Sequence, residues 1–255
     1  MNVLIILSTI LFVLMVVIGG KKGARSFIAL FFNFIILFFA VLFMTDPNAN
    51  PIVLILIACT LISCVNLFYI NEINIKTITA FVSTLVTFVI LVFFIVLVTE
   101  SAMIQGFGVE EIDDYSAFSL YIGIDFMKLA VAVMITSTIG AIVDIAISIS
   151  SPMREIAYHN PKMGWKELFL SGISIGRDIL GTSTNTLFFA FFGGYLALLI
   201  MFKDVSYSFG QIINSKVFSA EMLTILIAGI GVAMTIPITA IITAVALVRK
   251  RDVIN

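Results

Sequence analysis

Asp144, a single aspartate inside a long apolar run, is the residue of this sequence best suited to chemistry. A carboxylate within a membrane helix is unfavourable by roughly 2.5 to 3.5 kcal/mol on insertion scales, so a compensating role is expected. Its surroundings can tune such a group to gain and lose a proton near neutral pH, which makes it a candidate proton carrier. A structural ion pair, or a position near the headgroups, is the alternative. At helical spacing, small and polar residues share its face: Ser137, Gly140, Ala141, Ser148 and Ser151.

A cluster of charged and polar residues at 177–185 supplies a candidate partner for this carboxylate. Hydroxyl and amide groups leading in from a charged end are what a water-filled proton or ion path requires. On a helix these residues occupy two adjacent faces, and a simple packing seam between helices is the alternative. The residues predicted for a proton relay or ion path are Asp144, Arg177, Asp178, Thr182, Ser183, Thr184 and Asn185.

The elements that must position these residues are membrane helices. Of the 255 residues, 61% are hydrophobic and 11% are charged, and the mean hydropathy is +1.20. Soluble domains are about one-quarter charged. Runs of about 20 apolar residues cross a hydrocarbon core about 30 Å thick, and strand-like alternation is missing from them. The sequence predicts an all-α, polytopic integral membrane protein with about seven transmembrane helices. The predicted spans are 2–19, 27–44, 52–70, 77–98, 120–150, 180–202 and 220–248.

The orientation of the chain follows from Lys and Arg, which are concentrated at 21–25, 154–177 and 249–251. The predicted loop at 100–114 is instead acidic and has no Lys or Arg. Because cytoplasmic loops carry the excess of Lys and Arg, we expect the N-terminus outside and the C-terminus in the cytoplasm. The first span has no basic region before it and no clear cleavage site, so it is expected to be a retained helix.

Other polar residues in the predicted spans favour structural roles. Asn33 and Asn66 are expected to form hydrogen bonds between helices. Asp125 is expected to pair with Lys128, three residues later on the same helix. At Pro237, a static kink of the helix is favoured over a hinge. The candidates for helix packing or a hinge are Gly140, Gly181 and Pro237.

Few enzyme mechanisms are compatible with this composition. The lone His159 excludes most histidine-based metal and triad chemistry. An intramembrane protease is disfavoured, since Asp144 and Asp178 form the one acid pair worth considering. The sequence therefore predicts that the chain is not an enzyme and that it binds no cofactor and no metal. Cys59 and Cys64, five residues apart on one run, are predicted packing residues.

Several motifs resemble a known family of bacterial membrane proteins. They are Gly140-Ala-Ile-Val-Asp144-Ile-Ala-Ile-Ser-Ile149, then Arg154-Glu155, then the run 171–187 that contains Arg177 and the Thr/Ser/Asn cluster. They resemble the YibE/F family over about residues 120–247, and the chain looks like its shorter, YibF-type member. A more distant similarity is to half of the transmembrane core of the RND superfamily and of the SecD/SecF translocation factors. That likeness implies Asp144 as the proton carrier, Arg177 as its charge partner and Thr182 to Thr184 as the lining.

The resemblance and the residues together give the expected organisation and function. Residues 1–118 are expected to form a four-helix membrane region with an acidic outer loop, and residues 119–255 a YibE/F-like core of three spans. A proton-coupled transporter or translocation subunit in the bacterial plasma membrane is predicted, and a non-transporting scaffold or assembly factor is the alternative. The expected partners are the lipid bilayer and either a second copy or a YibE-like membrane protein. Nucleic acid is not expected.

Overall fold

The computed structural model describes residues 3–46, 48–104, 106 and 125–254, and in these residues the chain is helical without any strand. The predicted all-α class is confirmed. The acidic residues predicted at 110–114 and the predicted start of the fifth span lie outside the described residues. The helices are α1 (Val3–Met44), α2 (Pro51–Cys64, continued by a π-helical turn at Val65–Tyr69), α3 (Ile75–Ala102), α4 (Phe126–His159), α5 (Trp165–Gly194), α6 (Leu196–Asp204), α7 (Phe209–Asn214) and α8 (Lys216–Ile254).

Helix α1 turns back on itself at Gly20. A straight helix of 42 residues would be about 63 Å long, twice the thickness of a hydrocarbon core. Gly20 has φ 55° and ψ −136°, a conformation that glycine adopts readily and other residues avoid. The rings of Phe12 and Phe27 then meet with centroids 4.9 Å apart, and a side chain at Gly23 would collide with the carbonyl oxygen of Met15. Both contacts require the two halves of α1 to lie side by side.

Asparagine caps define the starts of α2 and α3. The side chain of Asn50 accepts a hydrogen bond from the Ile52 N–H at 3.1 Å, which satisfies one of the free donors of the first turn. Asn74 does the same for α3, and the Thr77 hydroxyl accepts in return from the Asn74 N–H at 2.9 Å. These caps explain why both helices begin close to the predicted spans.

Helix α5 begins much earlier than the sequence predicted. The sixth span was placed at 180–202, whereas α5 starts at Trp165 and bends by 54° into α6 after Gly194. The Gly164 N–H donates to Oε2 of Glu167 at 3.0 Å at the helix start. The first half of α5 carries polar residues on one face, so its hydropathy does not reach that of an ordinary spanning run.

Helices α3, α4 and α8 pack against one another, α2 packs on α4, and α5 packs on α8. The core cluster between them includes fully buried Leu91, Ile135 and Ile142. Ala40 of α1 and Ile55 of α2 belong to the same cluster. Residues from both predicted regions therefore share one core.

Two glycines allow α5 to approach its neighbours closely. A Cβ built on Gly172 would lie 2.6 Å from Sδ of Met153 and 2.8 Å from Cβ of Ala240, and one on Gly176 would collide with Ile236. Later residues of α5 thus meet earlier residues of α8. The two helices are antiparallel, and a larger side chain at either glycine would separate them.

Within the residues that the structure describes, five helices are long and apolar enough to cross a membrane, or six if α5 and α6 form one bent span. Large apolar side chains cover the outside of the bundle, among them Val89 and Phe189, both 74% exposed. Such a surface is expected of a multi-pass membrane protein, which buries these side chains in lipid rather than in a core.

Polar contacts join several helix ends at one end of the bundle. The Arg25 guanidinium lies 2.9 Å from the Glu72 carboxylate, which links the middle of α1 to the turn before α3. Lys76 donates from Nζ to the Ser151 hydroxyl at 3.1 Å, which links the start of α3 to the last part of α4. The basic region at 21–25 and the part of α4 just before Arg154 therefore lie at the same end of the bundle as the turn before α3.

Candidate membrane-embedded polar site

Asp144 lies on the face of α4 that points away from the core of the helix bundle. Its neighbours Val143 and Ile145 are 1% and 3% exposed, whereas Asp144 itself is exposed. The other stripe residues share its side: Ser137, Gly140 and Ser148 are exposed, and Ala141 and Ser151 are half-buried. The stripe is thus one continuous face, but it lies on the outside of the bundle.

Asp144 has no hydrogen bond and no ion pair in the described part of the chain. The pair suggested by the family resemblance, Asp144 with Arg177, is therefore not formed within one chain. The pair predicted at the other end of α4 is confirmed, since Nζ of Lys128 lies 3.2 Å from Oδ2 of Asp125. Asp144 is also the one acidic or basic residue of the sequence between Lys128 and Arg154.

The polar residues of α5 also face outward. Gly172, Gly176 and Thr184 lie against α8, with Cγ2 of Thr184 3.7 Å from where a Cβ on Gly229 would lie. The opposite side of the helix is exposed and carries most of the predicted path residues. We call the following set the polar face of α5: Ser174, Arg177, Asp178, Gly181, Thr182 and Asn185.

The remaining predicted residues are accounted for locally. Ser183 and Thr184 are half-buried, and the Thr184 hydroxyl donates to the carbonyl of Leu180 at 2.8 Å. The Thr182 hydroxyl donates to the carbonyl of Ile179 at 3.0 Å. Both hydroxyl donors are satisfied by their own helix, so neither requires a ligand.

Asp144 and the polar face of α5 lie at about the same depth. Met153 of α4 meets Gly172 of α5. Nine residues separate Met153 from Asp144, and nine separate Gly172 from Gly181 on the antiparallel partner. Arg177 and Asp178 stand near the middle of the 30-residue α5. That they mark a charged entrance to the membrane stays a prediction.

This arrangement is unfavourable for a single chain in lipid. Arg177 and Asp178, like Asp144, make no ion pair or hydrogen bond with any residue that the structure describes. Each charged group near the middle of a membrane helix costs about 2.5 to 3.5 kcal/mol on insertion scales. Residues of this type normally face a protein neighbour or a water-filled cavity. For outward charges of this type, contact with protein or water is therefore expected rather than contact with lipid tails.

The residues predicted for packing have few contacts within the chain. Neither Gly140 nor Gly181 has any side chain near enough to meet a Cβ, and both are exposed. Pro237 lies on the exposed side of α8, which continues through it as one helix. The glycines that pack inside the bundle are instead Gly172, Gly176 and Gly231.

A model of the family described as YibE/F-like protein matches residues 7–249. The chain belongs to the YibE/F-like family. The match covers the first four predicted spans as well, whereas the resemblance read from the sequence began at about residue 120. No curated protein and no solved structure matches the chain. The YibE/F-like match therefore carries the family assignment by itself, and it includes Asp144 and the polar face of α5.

The YibE/F-like bundle also contains a buried hydroxyl feature that the sequence interpretation missed. Its members are 0% to 3% exposed and recur every four residues on two helices. This repeated spacing was the available signal. The residues are Thr79, Ser83 and Thr87 on α3, and Thr235, Thr239 and Thr243 on α8.

Contacts between the helices place some of these hydroxyls at one level. Thr99 meets Met134 at 3.6 Å, and sixteen residues separate Thr99 from Ser83 and Met134 from Ser150. Leu91 likewise meets Gly231, and eight residues separate Leu91 from Ser83 and Gly231 from Thr239. Three helices thus contribute a hydroxyl residue each, Ser83, Ser150 and Thr239, to one layer of the interior.

A cavity of about 240 Å³ opens at the other end of α4 and α8. Leu129, Val133 and Met134 form its apolar side. On its polar side the Tyr195 hydroxyl donates to Oε1 of Glu221 at 2.7 Å.

No group of three His, Cys, Asp or Glu residues in the described ranges is arranged to hold a metal ion.

Proposed function

We propose that this chain is the membrane-embedded subunit of a proton-coupled transport or translocation system, in which Asp144 takes up and releases the proton. The observation that carries the proposal is the unpaired position of Asp144 on the outside of α4. A carboxylate kept only for structure would be expected to pair with a cation, because an unpaired one is costly in lipid.

The surroundings of Asp144 leave few groups to control its charge. The sequence has no acidic or basic residue between Lys76 and Glu100 on α3, and none between Glu221 and Arg249 on α8. Arg177 and Asp178 of α5 are the charged residues nearest to its depth on the neighbouring helices. If Asp144 lies between two subunits, the polar face of α5 and the partner subunit together set the environment in which it exchanges its proton.

The proposed topology has seven passes, with the N-terminus outside and the C-terminus in the cytoplasm of a bacterial cell. Helix α1 is one continuous element from Val3 to Met44, but its reversal at Gly20 supports two membrane passes within it. The contacts Arg25 to Glu72 and Lys76 to Ser151 support a common side for the basic regions. The likeness to half of an RND or SecD/SecF core stays a prediction, which the mutual packing of α4, α5 and α8 supports.

Cysteine labelling in cells tests this topology. In a chain without Cys59 and Cys64, a cysteine at Met103 should react with a membrane-impermeant reagent from outside, and one at Tyr158 should react only after lysis. Both side chains are well exposed, at 74% and 78%, so access does not bias the comparison. A cysteine at Lys22 should behave like the one at Tyr158. Labelling of Lys22→Cys from outside would contradict the reversal of α1 within the membrane.

The proton step is tested on the purified full chain in liposomes. Infrared difference spectra after a pH jump should contain a carboxyl band that Asp144→Asn removes, since Asn keeps the shape but cannot exchange the proton. Glu155→Gln is the matched control, because it changes an exposed carboxylate on the same helix. Thermal stability of Asp144→Asn should stay near that of the unchanged protein. A band that persists in Asp144→Asn would refute Asp144 as the carrier.

The second candidate function, a membrane scaffold or assembly factor, is favoured by the outward position of these charges. In a scaffold, Asp144 would serve to bind a neighbouring protein and would keep one protonation state. Asp144→Asn would then weaken assembly without any spectral change. A spectral change with intact assembly would exclude this candidate.

A further inference from the structure

The two sides of α5 differ sharply in what they contact. Gly172 and Gly176 lie against α8 so closely that a methyl group would not fit. The other side has no neighbour within the described part of the chain, yet it is the more polar one. Ser174, Gly181 and Asn185 are small or short residues that lie within about 40° of one another around the helix, because they are spaced by seven and four residues. All three are exposed, and together they form the small-residue stripe.

Small residues at this spacing let two membrane helices approach closely. The stripe alone would not identify a neighbour, but two adjacent charges accompany it. Arg177 and Asp178 stand near the middle of α5, exposed and without an ion pair among the described residues. Charged residues within membrane spans are unfavourable unless they meet a partner or water. A protein surface with opposite charges at the same depth supplies such a partner.

We propose that the polar face of α5 is the interface at which two copies of this chain associate. Arg177 and Asp178 make the face complementary to itself. A two-fold axis along the membrane normal brings equal depths of two copies together, so that Arg177 of each copy meets Asp178 of the other. The pair then forms twice, and it aligns the small-residue stripes of both copies. This inference requires only that α5 crosses the membrane and is independent of proton transport.

A second copy fits this surface better than the other occupants. A different membrane protein would need its own acidic and basic residues in the reverse arrangement at this depth. An identical copy supplies that arrangement automatically, because both signs already stand side by side. The approach also requires no long side chain to be displaced along the stripe.

Disulfide cross-linking in native membranes is the first test, with the full chain in which Cys59→Ala and Cys64→Ser remove the native thiols. Gly181→Cys, in the middle of the stripe, should cross-link to itself as a dimer under an oxidant that enters the bilayer. Val89→Cys is the matched control and should not. Leu91 contacts Gly231 of α8, and Thr184 contacts Gly229 of the same helix, so Val89 and Gly181 lie at similar depths. Val89 faces outward from an apolar position and is 74% exposed.

Charge reversal is the decisive test. Arg177→Asp gives a chain with two acidic residues on this face, and Asp178→Arg gives one with two basic residues. Each change alone should reduce cross-linking at Gly181→Cys by about tenfold, which corresponds to about 1.4 kcal/mol. Co-expression of the two reversed chains should restore it as a mixed dimer. The double change Arg177→Asp with Asp178→Arg in one chain should restore the self-dimer.

The restoration steps separate a lost contact from a lost fold, because a misfolded chain would not recover in the mixed dimer. Cross-linking that survives both single reversals would overturn the proposal. So would Gly181→Cys cross-linking no better than Val89→Cys, which would assign the face to a different protein. Loss of the carboxyl band in Asp144→Asn has no bearing on either outcome.

Discussion

The side-chain amide of Asn33 donates a hydrogen bond to Oδ1 of Asn66 at 2.8 Å, joining α1 to the π-helical turn that ends α2. The predicted hydrogen bonding of these two residues between helices is confirmed. Both side chains are half-buried between two apolar helices, where a hydrogen bond between amides is stronger than in water. It therefore fixes how α1 lies along α2.

Asn66→Leu should lower the free energy of unfolding by about 1 kcal/mol, because the amide of Asn33 loses its acceptor in an apolar interface. Unfolding of the detergent-solubilised protein by added denaturing detergent measures this change. The double change Asn33→Leu with Asn66→Leu should be less harmful than the sum of both single changes, since no amide is left unpaired. Additive losses would show that the two side chains do not interact.

Gly176→Ala should destabilise the bundle by about 1 to 3 kcal/mol, because its new methyl group would collide with Ile236 of α8. Ile236→Ala in the same chain should recover part of the loss. Gly229→Ala is the matched control at the same pair of helices, where the nearest atom lies 3.7 Å away. It should be neutral or slightly stabilising, since alanine is the better helix former. Equal effects of both glycine changes would contradict this packing.

Thr239→Val should raise thermal stability. The Thr239 hydroxyl is fully buried and has no hydrogen-bond partner among the protein atoms that the structure describes, and such a group costs about 1 to 3 kcal/mol. Valine has nearly the same shape and no polar atom. Thr235→Val, four residues earlier, is the control, because the Thr235 hydroxyl donates to the carbonyl of Gly231 at 2.7 Å. It should be neutral or destabilising. A lower melting temperature for Thr239→Val than for Thr235→Val would refute the prediction.

Because of the Asp125 carboxyl, the free energy of unfolding should depend on pH in the acidic range. Burial acts to raise its pKa, but hydrogen bonds from the Lys128 side chain and backbone and from the Met127 N–H outweigh this and lower the pKa. A group whose pKa is lower in the folded state stabilises fully above its unfolded pKa of about 3.9, and this stabilisation is lost as the pH falls through the folded value. The effect should be small, because 47% of the side chain is exposed.

Melting temperatures of the unchanged protein and of Asp125→Asn, measured from pH 6 to pH 3, test this expectation. The two curves should converge toward the acid end as the carboxyl of the unchanged protein becomes protonated. Glu155→Gln serves as the control for a general change of charge on α4, since Glu155 is exposed at the far end of the same helix. A constant gap between the Asp125→Asn curve and that of the unchanged protein would contradict the assignment.

The sequence by itself determined the helical class, the membrane setting, most helix positions and the family. The reason is that lipid imposes one simple requirement, a run of about 20 apolar residues, which can be read along the chain. It also placed Asp144 within one narrow stripe, because helical spacing sets which residues share a face. The ion pair between Asp125 and Lys128 could be predicted for the same reason, since both residues lie within one helical turn.

The tertiary structure decided which way each face points, and local spacing carries no information about that. Asp144 and the polar face of α5 could equally have faced one another or faced outward. They face outward because Gly172 and Gly176 turn the opposite side of α5 onto α8, and because Val143 and Ile145 turn the opposite side of α4 into the core. The start of α5 at Trp165 was likewise hidden, because hydropathy averages the polar face of a helix with its apolar one.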